Sequence, residues 1–292
     1  MIGHYIANYI MLSPRIPADE LARRDIESGF GDAFDDYRNK WERHSFTVES
    51  DDATLAGEYI VNPAGGAGRK KVAVIAHGIT STKEADVKYG KIFYDLGYNL
   101  VIFDERYFGD SKAPYCTLGM KESEDVKVIC AYARKIFGED CFLCMHGESM
   151  GAASVLRSLD TEKPDYVIAD CPFSDLEMLI KDLARKQAWV FGTPARMVAR
   201  RVGIKRYNYD FHCVKPIESV KVTDVPICFV HGGSDSLIKW EHSKRMYDLC
   251  KNPLSEIHIF EKSEHARSVF DDRERYSKIV ADFSKKIEEQ SL

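Results

Sequence analysis

The chain predicts an α/β fold built on a mainly parallel sheet with helices on both faces, and three observations carry that reading. From Lys71 onward, short apolar runs rich in branched residues alternate with amphipathic stretches of helical period, and strands that are apolar throughout are those covered on both faces. Two of the amphipathic stretches stop at Gly97 and Gly138, and each glycine is followed closely by the next apolar run, as where a helix ends and a strand begins. One serine, in Gly147-Glu148-Ser149-Met150-Gly151, stands between the apolar run Cys141–His146 and the helix-forming run that starts at Ala152. That is the setting in which a strand turns sharply into a helix and pushes a hydroxyl clear of the backbone.

The 292 residues suffice for one large domain with a substantial core, and 45% hydrophobic with 30% charged residues is an ordinary soluble composition. A formal net charge of −5 gives no reason to expect nucleic acid as a partner. Several of the eight cysteines (Cys141, Cys144, Cys228) lie in apolar runs, the usage expected of reduced, buried thiols in a cytoplasmic enzyme. Cys141 and Cys144 form a C-x-x-C, but residues three apart on a strand face opposite ways. No disulfide framework and no metal site are therefore expected.

In chain order, Met1–Leu12 is apolar, too short for a membrane span, and without a basic leader or cleavage site, so a helix packed on the body is expected. Ser13–Arg43 is polar and helical, giving an N-terminal helical segment over residues 1–44. Ser45–Ser50 and Leu55–Val61 alternate about Asp51-Asp52 as a β-hairpin. Strands follow at Val72–Ala76, Asn99–Phe103, Cys141–Met145, Tyr166–Ala169, Ile227–Val230 and Glu256–Phe260. Helices fall at Glu84–Leu96, Lys121–Phe137, Trp240–Cys250 and Asp271–Glu289. The rhythm breaks once, between the Tyr166 and Ile227 strands, where Leu176–Phe191 and Pro194–Val202 are helical. A strand-free connection of that length reads as a functional insertion, a cap over about residues 173–222 of a domain spanning 45–292.

A serine hydroxyl needs a neighbouring base to take its proton and a third group to orient that base. Asp235, in His231-Gly232-Gly233-Ser234-Asp235, follows one strand, and His265, in Ser263-Glu264-His265, follows the next. Both fall with Ser149 at the carboxyl ends of strands, where open α/β sheets bind ligands. Asp224 precedes its strand and Glu241 sits on a helix, which leaves Asp235 as the acid. His258 lies in a strand, His242 in a helix and His231 in the acid's own turn, which leaves His265 as the base. His77 is expected to brace a turn by a hydrogen bond.

The order Ser149, Asp235, His265 resembles that of the α/β-hydrolase superfamily, from about Ser45 to the C-terminus. His77-Gly78-Ile79-Thr80 is similar to its oxyanion turn, which implies that the amides of Ile79 and Met150 hold the developing oxyanion. Asp104-Glu105-Arg106-Tyr107-Phe108-Gly109-Asp110-Ser111 resembles a D-x-R-G-x-G-x-S turn with Tyr107 where glycine is common, placing an aromatic beside an acyl pocket. Phe173, Trp189 and Phe191 are further candidates for lining it, although packing of the cap accounts for them equally.

The resemblance implies a serine hydrolase of carboxylic esters or thioesters, of the esterase, thioesterase and prolyl-oligopeptidase-like kind, with no cofactor. The alternatives are a peptidase, for which no carboxylate pair to hold a peptide amine is evident, and a non-catalytic binding protein on the same fold. Lys181–Arg206 carries eight basic residues (among them Arg185, Lys186, Arg196, Arg200 and Arg201) against Asp182 alone. That run reads first as a solvated face or one neutralised by the acidic segment Asp19–Asp36. Its other reading is attraction of an anionic substrate or, with the N-terminus, weak contact with a membrane surface.

Overall fold

The computed structural model of the protein describes residues 11–65, 68–186 and 193–290. Helices α1 (Ala18–Asp25) and α2 (Gly31–Asn39) are joined by a wide turn in which Gly29 takes φ +101°. The hairpin of β1 (Glu42–Ser50) and β2 (Ala53–Val61) follows, turning at Asp51, φ +49°. Then come β3 (Lys71–Ala76), α3 (Val87–Asp95), β4 (Asn99–Phe103), α4 (Glu122–Phe137), β5 (Phe142–Glu148), α5 (Met150–Ser158) and β6 (Tyr166–Asp170). Between β6 and β7 (Ile227–Gly232) lie α6 (Leu176–Lys186), α7 (Thr193–Tyr207) and α8 (Pro216–Val222). The chain closes with α9 (Glu241–Tyr247), β8 (Glu256–Phe260), α10 (Ser268–Asp271) and α11 (Arg273–Glu288).

The eight strands form one sheet in the order β1-β2-β4-β3-β5-β6-β7-β8. The first two ladders, β1 with β2 and β2 with β4, are antiparallel, and the remaining ones are parallel. The chain adds β4 on one side of β3 and then crosses to place β5 on the other. The strand order therefore reverses beside β3 and β5, the position at which such sheets open a crevice at their carboxyl ends.

The alternation of side chains divides the core in two. Ala73 and Ile75 of β3 face Phe93, Tyr276 and Phe283 from α3 and α11, whereas Val72 and Val74 face Ile129 and Val155 from α4 and α5. Cys141 and Cys144 separate by the same alternation, and all eight cysteines are free thiols. A third apolar cluster ties α6 and the end of α7 (Leu176, Leu179, Tyr207) to Phe173, Phe211 and Met11. Residues 1–10, expected as a docked helix, lie outside the described residues; Met11 is buried and its carbonyl accepts from the Cys116 N–H at 3.0 Å.

Two boundaries differ from expectation for physical reasons. The hairpin starts at Glu42 rather than Ser45, because Glu42, Arg43 and His44 pair in register with Val61, Ile60 and Tyr59. Their charge reads as helix in sequence and is tolerated on an edge strand. The helix after β3 starts at Val87 rather than Glu84, because Lys83 is held by Asp104 through both its backbone N–H (2.8 Å) and its ammonium (3.0 Å). That clamp leaves Lys83–Asp86 as a tight 3₁₀ turn.

Candidate active site

Ser149 stands between β5 and α5 with φ +55° and ψ −112°, a conformation that costs a non-glycine residue roughly 1–3 kcal/mol. The structure sustains it with hydrogen bonds on both sides, Ser149 N–H to the Asp170 carbonyl (2.8 Å) and Ala153 N–H to the Ser149 carbonyl (3.0 Å). The flanking glycines are steric necessities. A Cβ on Gly147 would lie 2.5 Å from the Ala152 backbone, and one on Gly151 would overlap the Ala76 carbonyl oxygen.

The loops after β7 and β8 deliver the other two residues to this hydroxyl. They are zipped together by Gly233 N–H to the Phe260 carbonyl (2.7 Å) and Ser234 N–H to the Ser263 carbonyl (3.1 Å). His265 Nε2 lies 2.8 Å from Ser149 Oγ, and His265 Nδ1 lies 2.6 Å from Asp235 Oδ2. The other oxygen of Asp235 accepts the N–H groups of Leu237 and Ile238, both at 2.8 Å. Nδ1, facing the carboxylate, therefore carries the proton, and Nε2 presents its lone pair to the serine.

Electrostatics follow from these contacts. Burial pushes the Asp235 carboxyl up, but hydrogen bonds from His231 and His265, the charge of His265 and the Ile238 N–H outweigh it and hold it well below the usual range. Burial pushes the His265 imidazole down, and the Asp235 hydrogen bond and charge, joined by Glu148 and Asp170, raise it above the usual histidine value.

His231 is a partner that sequence reasoning passed over. It belongs to β7 rather than to the acid's turn, and its Nε2 lies 2.8 Å from the Ile238 carbonyl and 3.3 Å from Asp235 Oδ2. Two acceptors there put its proton on Nε2, leaving Nδ1 to accept from Ser243 Oγ at 2.7 Å. His77 bridges two loops, with Nδ1 2.7 Å from the Gly78 carbonyl and Nε2 accepting the Glu105 N–H at 2.9 Å. Burial lowers its pKa, so it stays neutral.

The turn it braces carries Ile79, which packs with Tyr107, Phe108 and Met150. Met150 opens α5, so its N–H has no acceptor one turn back in the helix and is available at the elbow. Tyr107 takes φ +74°, which accounts for the usual glycine at that position. The same segment is a structural clamp. Arg106, 1% exposed, grips Asp125 at 2.6 and 2.7 Å and Asp52 at 2.8 Å, tying α4 to the β-hairpin.

Phe173 is 2% exposed within the apolar cluster of α6 and α7. Trp189 and Phe191, like the side chains of Arg185, Lys186 and Arg196, lie outside the described residues. Arg200 is paired bidentately with Asp210, and Lys181 with Glu177. The acids of Asp19–Asp36 meet other cations, Asp25 with Lys88, Asp32 with Arg273 and Asp36 with Lys40 and Lys91. Among the described residues they are not what neutralises the basic run.

Behind the serine lies a buried polar cluster with no counterpart in the sequence reading. Glu148 accepts from Tyr89 Oη at 2.7 Å and pairs with Lys88 at 3.4 Å; Tyr89 Oη also lies 3.2 Å from Asp170. Burial raises Glu148, and the Lys88 charge and the Tyr89 hydrogen bond bring it below the ordinary value. Burial and the adjacent Glu148 charge push Asp170 up to about 7.

This sheet, with its strained serine elbow at the strand-order reversal, is the architecture of an α/β-hydrolase. Comparison with known proteins narrows the class, since residues 113–290 match the prolyl oligopeptidase family, and the chain belongs to that family. It is 26% identical over 285 residues to YqkD, an uncharacterised Bacillus subtilis protein, covering 97% of this chain and 92% of that one. Among solved structures it resembles the Pyrococcus furiosus esterase Pf2001, with a TM-score of 0.70, 22% identity, and 86% and 93% of the two chains covered. It also resembles the acylaminoacyl peptidase of Pyrococcus horikoshii, with a TM-score of 0.65, 17% identity, and 88% of this chain but 43% of that one covered.

Proposed function

We propose that this hydrolase cleaves carboxylic esters or thioesters through an acyl-enzyme on Ser149. The supporting observation is the continuous path from Ser149 Oγ to His265 (2.8 Å) and on to Asp235 (2.6 Å). His265 takes the serine proton as Oγ adds to the carbonyl, while Asp235 holds the ring and balances the imidazolium. The oxyanion is received by the Ile79 and Met150 amides, a contribution of about 3 kcal/mol per donor. The proton then passes from His265 to the departing alkoxide or thiolate, and water, activated by the same ring, releases the acid. Ile79 and Tyr107, partly buried against Phe108 and Met150, offer an apolar surface beside the elbow that suits an acyl chain, and Phe173, Trp189 and Phe191 are candidates for extending it. The free thiols fit a cytoplasmic setting.

Hydrolysis of p-nitrophenyl esters from acetate to decanoate tests the reading. Turnover that vanishes in Ser149→Ala is expected, with a chain-length optimum set by that apolar surface. Turnover that survives the substitution would refute it.

Membership of the prolyl oligopeptidase family supports a second reading, cleavage of short peptides by the same serine. Release of p-nitroaniline from acyl-amino-acid anilides with kcat/KM above that for the best ester would establish it instead. Weak contact with an anionic membrane surface is supported by α7, which exposes Met197, Val198 and Ile204 beside Arg201. Among the described residues no helix is long and apolar enough to cross a membrane. Sedimentation with anionic vesicles at low salt, lost at high salt, is the result this contact predicts.

A further inference from the structure

Cys171 stands directly after β6, fully buried, with φ +44°. Its backbone N–H is fixed by the Val230 carbonyl at 2.8 Å, and its sulfur accepts the N–H of Ala266, the residue after His265. These contacts hold a thiol beside the acid–base pair. Cys171 Sγ, a carboxylate oxygen of Asp235 and a ring nitrogen of His265 all lie within 4.8 Å of one another.

We propose that Cys171, Asp235 and His265 form a site for a soft divalent cation, with Zn²⁺ as its natural occupant, and that occupancy switches the hydrolase off. The inhibitory part rests on the function proposed above, and the binding part does not.

The donor set has the required chemistry. Thiolate, imidazole and carboxylate are the three ligand types that zinc takes, at about 2.3 Å for sulfur and about 2.0–2.2 Å for nitrogen and oxygen. Tetrahedral geometry at those lengths separates the donor atoms by roughly 3.3–3.6 Å. The cluster is already within 4.8 Å, so it needs a small inward movement of the thiol and a slight opening of the His265–Asp235 contact from 2.6 Å.

Charge also balances. The S–H bond of Cys171 breaks and its proton leaves to solvent, while the Nδ1 proton of His265 passes by way of water to Nε2, which frees Nδ1 to bind the ion; one Zn²⁺ is then neutralised by one thiolate and one carboxylate, so the buried site carries no net charge. His265, 20% exposed at its side chain, gives the ion a way in from solvent. Coordination engages both the base and the group that orients it, so serine activation stops. Chelation reverses the effect, because no covalent bond to carbon is made.

The other set of the same kind, Cys228, Glu256 and His258, is less suited to an ion. There the Lys286 ammonium already pairs with Glu256 at 2.7 Å, and its positive charge beside the donors opposes a cation.

The test separates binding from activity. Ser149→Ala, which needs no turnover, is titrated with Co²⁺ and followed by the thiolate-to-cobalt absorption in the near ultraviolet. A saturable band is expected, lost when Cys171→Ser or Cys171→Ala is added, weakened by Asp235→Asn, and kept when Cys228→Ser is added. Absence of the band, or a band that survives both Cys171 variants and disappears with Cys228→Ser, overturns the proposal.

On the otherwise wild-type protein, Zn²⁺ should inhibit p-nitrophenyl ester hydrolysis reversibly. The concentration for half-inhibition should rise at least about tenfold in Cys171→Ser, the scale on which losing a supporting group weakens a metal site. Equal inhibition of wild type and Cys171→Ser overturns the switch. A band in a protein that hydrolyses no ester leaves the site standing and refutes the function instead.

Discussion

Replacing Asp235 with asparagine probes the arrangement most sharply, because the surroundings dictate which way the new amide must point. Oδ1 accepts two backbone N–H groups, from Leu237 and Ile238, each at 2.8 Å. The amide oxygen keeps that position, since the opposite orientation would set donors against donors. The NH₂ group then replaces Oδ2, 2.6 Å from His265 Nδ1 and 3.3 Å from the N–H of His231. His265 is driven to the tautomer with its proton on Nε2, the nitrogen proposed to accept the serine proton. The expected result is a fall in kcat of about 10⁴, or about 5 kcal/mol of transition-state stabilisation, with KM little changed because no substrate contact is lost. The assay is ester hydrolysis at saturating substrate with circular dichroism to show that the fold persists. A loss of less than about tenfold in a folded protein would refute the tautomer argument.

Three further outcomes follow from the same geometry. Glu148→Gln removes a partly buried negative charge that favours the His265 imidazolium. The base then stays neutral to lower pH, so the acidic limb of the kcat/KM profile moves down; an unmoved or raised limb contradicts this. Asp170 has its carboxyl raised from 3.8 to about 7, so its contribution to stability is fully present below about pH 4 and is lost as pH rises to about 7. Asp170→Asn cannot ionise, and urea denaturation should show its stability relative to wild type growing across that window and levelling above it. Gly151→Ala forces a Cβ into the Ala76 carbonyl, which should cost about 1–3 kcal/mol and lower Tm by about 2–4 °C for each kcal/mol.

Much of this arrangement was legible in the sequence because its signals are local. Apolar runs of strand length mark β3 to β8, and glycines flank Ser149 where the backbone permits nothing larger. The apolar runs that each of them follows place Ser149, Asp235 and His265 at the carboxyl ends of the strands, and the structure brings their side chains within hydrogen-bond reach.

What was illegible depends on contacts between distant segments. Glu148, Asp170, Lys88 and Asp25 each read as ordinary strand-end or helix-face charges, yet they converge behind the serine. Nothing in their spacing announces that Tyr89 bridges two of them. Cys171 reads as one more buried thiol, and only the Ala266 and Val230 contacts turn it toward His265. Tyr107 did leave a trace, a tyrosine where glycine is common, and its φ of +74° is the structural meaning of that departure. His231 reads as part of a turn because Gly232 and Gly233 follow it, whereas the ladder with β8 extends through His231 and Gly232.

Activation of Ser149 by His265 and Asp235, as proposed, is tested without knowledge of the substrate by labelling with a fluorophosphonate. A single adduct is expected, mapped by mass spectrometry to the peptide containing Ser149 and lost in His265→Gln although the serine remains. No adduct on the folded wild-type protein, or an adduct equally strong in His265→Gln, would contradict it.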